Sequence, residues 1–294
     1  MRISIPASSA NLGPGFDTLG LAVSLYNYVN IKHSSCQSIS IRGEGANKTK
    51  LKVNNIFVSI FNEIYHELVG RKDHFRFEFE NNIPFSRGLG SSSAVIVGAI
   101  ASAYHMAGIK VSKENILNKA LPYESHPDNI APAVYGGFTS SIVEEGLVKT
   151  LKKDLPSTIK AVVVIPNRSM STVHSRTLLP KSYSMSDVIF TSSRVGFISA
   201  AFFCENWEML KFACKDKIHE IRRMNKMKEL FEIRHIALQN GAIMSTLSGS
   251  GSSFFNLVYE KDAGNIAQKL KKSFQNFRIE ILDFDNQGFE IINS

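Results

Sequence analysis

A chain of 294 residues with a formal net charge of +8, 44% hydrophobic and 20% charged residues can build one large or two medium domains and lies outside the composition of disordered chains. No apolar run reaches the roughly 18 residues of a membrane span, and the opening Met1-Arg2-Ile3-Ser4-Ile5-Pro6 lacks a secretory apolar core. Three scattered cysteines, Cys36, Cys204 and Cys214, suit neither a disulfide framework nor a zinc motif, so a cytoplasmic protein without a membrane partner is expected.

Ile3 to Pro6 reads as a strand, followed by a polar glycine loop, a strand-rich run from Leu19 to Ile31 and a short strand over Ile39 to Arg42. Ile56, Phe57, Ile60, Ile64 and Leu68 fall near helical spacing, with Gly70 to end the helix. Phe75, Phe77 and Phe79 then alternate with Arg76, Glu78 and Glu80, the period-two pattern of a strand burying one face. A small-residue helix follows over 95–106, with Gly108 placed to stop it. Ser112 can cap a helix over 115–121, 127–135 suggests another, and 138–143 with 147–151 makes a hairpin.

Pro156 marks an expected boundary between halves 1–155 and 156–294, because Ala161-Val162-Val163-Val164-Ile165 is the continuous apolar run of a buried strand. Helices should fill 187–240. Strands over 242–247 and 253–259, an amphipathic helix around Ala263 to Phe274 and a final strand over 277–282 complete the reading. The basic stretch 211–234 is interleaved with acidic residues and reads as mostly a solvated helical face, so no nucleic-acid partner is expected. The mixture predicts an α+β fold of two halves with a ligand cleft between them.

Pro84 to Ala94 carries the chemistry. It joins a strand to a helix through Gly88 and Gly90, so unpaired N–H groups at the helix start can attract an anion while the glycines let it approach. The spacing is neither a Walker loop nor a dinucleotide fingerprint, and a plain capped turn is the competing reading. Four further polar loops are candidates. The 7–17 loop offers Asn11 and Asp17; the 124–129 loop packs Glu124, Ser125, His126, Asp128 and Asn129 together; Thr172 and Arg176 lie four apart; and 247–253 is a small-residue loop that can brace the first.

Together these segments resemble the GHMP small-molecule kinase family (galactokinase, homoserine kinase, mevalonate kinase, phosphomevalonate kinase), and the homoserine kinase branch most closely. The likeness rests on Pro6 to Gly20, on Pro84 through Ser92, on His126 to Ala133, on Pro166 with Ser171-Thr172 and Arg176, on Leu179-Pro180, and on Leu247 to Gly251. It implies a ribosomal-S5-like N-terminal half that binds nucleotide, a ferredoxin-like C-terminal half that binds substrate, and an active site in the cleft between them. By position it implies that Pro84, Phe85, Ser86, Arg87, Gly88, Leu89, Gly90, Ser91, Ser92, Ser93 and Ala94 wrap ATP, that Asn55 contacts adenine, and that Ser92 and Glu124 hold Mg2+. The acceptor would be L-homoserine, with its ammonium at Asn11 and Asp17, its carboxylate at Arg176 and Arg223, and its hydroxyl near His126 and Asn129.

The match in the 216–223 segment covers only His219, Glu220 and Arg223, and Arg222 competes for the carboxylate. Where sibling kinases carry a catalytic Asp this chain has Asn129, so no single side chain is expected to remove the hydroxyl proton; Asn129 and Thr172 would orient the hydroxyl. Ser93, Ser125, Ser250, Ser252 and Ser253 depart from the family pattern and leave open a sibling kinase acting on another alcohol, or a noncatalytic regulator on the same fold. A homodimer is expected.

Overall fold

Alternating apolar residues form eleven strands among the described residues: β1 (Arg2–Ala10), β2 (Leu19–His33), β3 (Ser38–Gly43), β4 (Phe75–Asn81), β5 (Phe138–Glu144), β6 (Leu147–Lys153), β7 (Ile159–Ile165), β8 (Met244–Leu247), β9 (Phe254–Tyr259), β10 (Arg278–Leu282) and β11 (Glu290–Ile292). The computed structural model of the chain describes residues 1–292, apart from the side chains of Thr172 and Val173. Seven strands make one sheet in the order β11-β1-β2-β4-β3, with β5 joined to β2 and β6 to β5. β2 is long enough to serve two partners on one side: Leu19, Gly20 and Leu21 pair with β5, while 28–33 pairs with β4. β11 was not foreseen. It brings the end of the chain back onto β1 in the first sheet.

Phe75, Phe77 and Phe79 all point inward, where Phe57 and Phe61 of the helix Ile56–Val69 meet them edge-on at 5.0–5.2 Å. Such T-shaped pairs add to the burial of large rings. Gly70 ends that helix in the left-handed region at φ 74°, and Gly108 does the same after the helix Ser91–Met106. The latter is apolar on nearly every side because it is buried on nearly every side. Its small residues permit this: a Cβ on Gly98 would lie 2.8 Å from Ile5 of β1. The first turn of this buried helix is thereby fixed at the cleft.

The second sheet is antiparallel in the order β10-β7-β9-β8, a strand-helix-strand-strand-helix-strand unit of ferredoxin-like type. Val162, Val164, Phe254 and Val258 face the helices Glu229–Gln239 and Glu260–Ser273, while Ala161, Val163, Phe255 and Leu257 join the core of the first sheet. Burial on both faces is why β7 reads as a continuous apolar run. Among the described residues, no helix is long and apolar enough to cross a membrane.

In the 211–234 stretch Lys211, Lys215, Lys217, Arg222, Lys226, Lys228 and Glu232 are exposed, as a mostly solvated face requires, but a buried polar set lies beneath them. The stretch is broken into short helices, and Asp216, His219, Glu220 and Arg223 are buried. Asp216 takes the N–H groups of Ile218, His219 and Glu220 at 2.7–3.0 Å, and Glu220 accepts from Leu247 N at 2.6 Å while pairing with Arg234, also at 2.6 Å. The buried charges are internal scaffolding beneath a solvated face.

Candidate active site

The 84–94 turn, the 7–17 loop and the 247–253 loop meet around a cavity of about 390 Å³. Ser8 N donates to Leu89 O, Ser253 N to Arg87 O and Gly249 N to Ala10 O. Ser248 Oγ lies 2.6 Å from Gly88 O, so the last loop braces the turn as expected. The two glycines are required chiefly on this far side. A Cβ on Gly88 would fall 2.1 Å from Ser248 O, and one on Gly90 2.0 Å from Ser8 Oγ; both residues also have positive φ. Close loop packing, as much as ligand approach, demands glycine there.

Ala94 N makes the first bond of the buried helix, to Gly90 O at 2.9 Å, so the N–H groups of Ser91, Ser92 and Ser93 precede the intrahelical ladder. These three point the positive end of a sixteen-residue helix at the cavity. Ala94 itself is committed to the helix and packed in the core, away from the cavity lining. Arg87 lines the cavity and is also engaged elsewhere: its guanidinium donates to Pro166 O, Asn167 O and Phe85 O at 2.8–3.1 Å and so ties the turn to the second lobe. Asn55 lines the cavity but caps a helix, with Oδ1 accepting from Val58 N and Nδ2 donating to Leu51 O. Around it Ile41, Leu51, Phe57, Phe79 and Phe85 make an apolar slot.

Glu124 and Ser92 line the cavity together. Burial pushes the Glu124 carboxyl above its ordinary pKa, and the nearby Ser92 and Ser93 hydroxyls oppose the shift. Among the described residues Glu124 Oε2 and Ser93 Oγ nevertheless have no partner in hydrogen-bond geometry. A buried carboxylate oxygen without a donor fits a hard cation, and one carboxylate plus one hydroxyl suits magnesium, which takes its remaining ligands from phosphate and water. Among the described residues no group of three or more His, Cys, Asp or Glu side chains could hold a metal alone.

Opposite charges face one another at the other end. Asp17 Oδ1 meets Arg176 Nη2 at 2.7 Å, and Asp17 Oδ2 lies 3.6 Å from His126 Nδ1. Burial lowers the pKa of His126, which Asp17 opposes. Asn129 Oδ1 accepts from Ser8 Oγ at 2.9 Å and its Nδ2 donates to Asp128 Oδ1 at 3.4 Å, which leaves the second Nδ2 hydrogen for the cavity. Asn11, expected at an ammonium, has its amide engaged: Nδ2 donates to Gly249 O at 3.0 Å and Oδ1 accepts from Asp17 N at 3.1 Å. Of the two competing arginines, Arg223 lines the cavity and Arg222 does not. The Thr172 side chain lies outside the described residues.

Two more residues stand at the acceptor end: Asp128, a member of the candidate 124–129 loop that was given no role, and Phe16, which was not singled out. Asp128 is buried, lines the cavity and is pushed up to about 7, by burial first and then by the charges of Asp17 and Glu124. Phe16 lies under both arginines, with each guanidinium carbon 5.1 Å from its ring. Only its position beside Asp17 in the loop could have signalled it.

A helix start stripped of side-chain caps, set between two α+β lobes and opening onto paired opposite charges, defines a small-molecule phosphotransferase. Family models agree: residues 55–137 match the GHMP kinases N terminal domain and 203–276 the GHMP kinases C terminal domain. A homoserine kinase of a Nitratiruptor species is 61% identical over 291 residues, covering 99% of both chains. The crystal structure of homoserine kinase from Cytophaga hutchinsonii superposes with a TM-score of 0.88 at 26% identity, over 99% of this chain and 97% of that one. Mevalonate kinase of Methanococcus jannaschii shares the fold, with a TM-score of 0.73 at 16% identity over 97% of this chain and 98% of its own. The chain belongs to the GHMP kinases, in their homoserine kinase branch.

Proposed function

We propose that this chain transfers the γ-phosphoryl group of ATP to the side-chain hydroxyl of L-homoserine, giving O-phospho-L-homoserine in threonine biosynthesis. One juxtaposition carries the reading: within a single cavity, the free first turn at Ser91 to Ser93 faces an acid–base pair, Asp17 with Arg176, whose charges complement an amino-acid zwitterion. The substrate ammonium replaces Arg176 as the partner of Asp17. Its carboxylate takes Arg176 together with Arg223, which has no acidic partner within ion-pair distance among the described residues.

Phosphoryl transfer through a loose transition state needs alignment and charge neutralisation more than a strong base. Ser92 and Glu124 would hold magnesium, which would supply neutralisation of phosphate charge there. The N–H groups of Ser91, Ser92 and Ser93 bind phosphate oxygens as fixed dipoles that need no reorganisation. The apolar slot beside Asn55 takes the adenine by contact with its faces, since the Asn55 amide is already engaged. Asn129 cannot accept a proton as a carboxylate would; its Nδ2 orients the acceptor hydroxyl, and His126 lies beside it. Residues 1–155 supply the cradle and 156–294 supply Arg176 and Arg223, in a cytoplasmic homodimer.

The test is ADP release by the purified chain with Mg-ATP and a panel of alcohols, with the product identified by phosphorus NMR. Turnover that depends on L-homoserine is expected. Faster turnover of another alcohol, or salt-dependent RNA binding without any turnover, would overthrow the assignment.

A further inference from the structure

Arg223 is only 2% exposed, and its Nε is buried without a partner among the described residues. Its Nη1 donates to two neutral acceptors, Gly249 O and His219 Nδ1, each at 3.2 Å. Asp17, Asp128 and Asp216 attract this guanidinium from a distance and Arg176 repels it, but among the described residues no carboxylate forms an ion pair with it, so an anion in the cavity can take that place. Burial and Arg176 push its pKa down to about 10, so it remains a cation at neutral pH. What aims it is the question.

His219 is fully buried and does not line the cavity, so it touches no substrate. Its Nε2 lies 2.7 Å from Gly13 O, an acceptor only, so Nε2 carries the proton and Nδ1 keeps the lone pair that Arg223 needs. Burial lowers its pKa to about 4, consistent with a neutral ring. The carbonyl is presented by a glycine that nothing else could replace: a Cβ on Gly13 would sit 2.1 Å from Cys214 O. Phe16 stacks on the imidazole at 4.9 Å and 27°, and the same ring lies 5.1 Å from the guanidinium carbons of both Arg176 and Arg223. An aromatic face between two cations attracts each and so offsets part of their repulsion.

We infer that His219, as the Nε2–H tautomer, and Phe16 are positioning residues that hold Arg223 beside Arg176, so that the two guanidiniums grip one substrate carboxylate. The inference rests on the homoserine reading above and adds what makes that site selective for an acid over the corresponding alcohol. His219→Gln can keep the donor to Gly13 but offers no acceptor in place of Nδ1, whereas His219→Asn offers an acceptor there and loses the Gly13 bond. Phe16→Leu removes only the ring.

The experiment compares L-homoserine with homoserinol, which keeps the ammonium and hydroxyl but has no carboxylate. In wild type homoserine should be strongly preferred; equal use of the two would refute the carboxylate clamp itself. In His219→Gln, kcat/KM for homoserine should fall about 10-fold or more, through KM, as for one lost charge-assisted hydrogen bond. The KM for ATP and kcat/KM for homoserinol should stay within about twofold, and His219→Asn should recover part of the loss. Parallel losses on both acceptors, a parallel rise in KM for ATP, or no advantage of Asn over Gln would overturn the positioning role. Should the histidine variants not fold, Phe16→Leu carries the same comparison, and equal losses on the two acceptors would again overturn it.

Discussion

At the nucleotide end the cavity offers backbone, and at the acceptor end it offers charge. Ser91 to Ser93 present N–H groups from a helix buried in the core, while the polar side chains beside them, Arg87 and Asn55, are tied into the scaffold. Asp17, His126, Arg176 and Arg223 present side chains that, without substrate, satisfy one another or neutral groups. Backbone donors read any triphosphate tail and are robust to side-chain change. Charged side chains can be chosen for one acceptor, and can be altered as readily.

That contrast breaks most severely at Gly88. Gly88→Ala forces a Cβ to 2.1 Å from a backbone oxygen at positive φ, so urea unfolding should show a loss of roughly 3 kcal/mol and nucleotide binding should fail with it. Glu124→Gln keeps the shape and removes the anionic ligand. Turnover at saturating ATP should drop roughly 30-fold and need more magnesium, while metal-free nucleotide binding stays unchanged; a magnesium titration reads both.

Asp128→Asn sharpens the acceptor side through pH. The Asp128 pKa is raised to about 7 in the folded chain, well above the ordinary value of about 4, so the folded state holds a proton that the unfolded state has lost. The stability this group contributes is therefore present at low pH and is lost as pH rises through 7. Melting curves should show the variant gaining on wild type between about pH 4 and 8, with little gap at the acid end. An unchanged pH dependence would show that the carboxyl is not held neutral. Ser125→Gly should have the smallest effect. Ser125 is exposed at φ 69°, where glycine is free of Cβ strain, and a gain of about 1 kcal/mol is expected in urea unfolding with kinetics unchanged.

Much of the fold was legible because its signals are local. The phenylalanine alternation, Gly70, Gly108 and the Ser112 cap each act within a few residues, and each stands where it was expected. β11 was not legible, since a three-residue strand has no period of its own and exists only because β1 offers an edge. The site divides likewise. The motifs announced Gly88, Arg176 and Arg223, but the reason Gly88 is glycine lies 160 positions away at Ser248, and Arg223 depends on a ring held by Gly13, 206 positions before it. Arg87 stood within the turn that the resemblance assigned to ATP; its tie to the carbonyls of the second lobe, some 80 positions on, could not be read from that motif.

Residue order by itself determined the α+β composition, the helix that begins at the glycine turn, and membership in a kinase family, because backbone propensity, helix termination and short motifs act over a few residues. Tertiary structure alone decided which polar groups remain open to a ligand. That depends on which acceptors from distant segments reach a donor first, and on how far burial shifts Asp128, His219 and Arg223 from their ordinary charge.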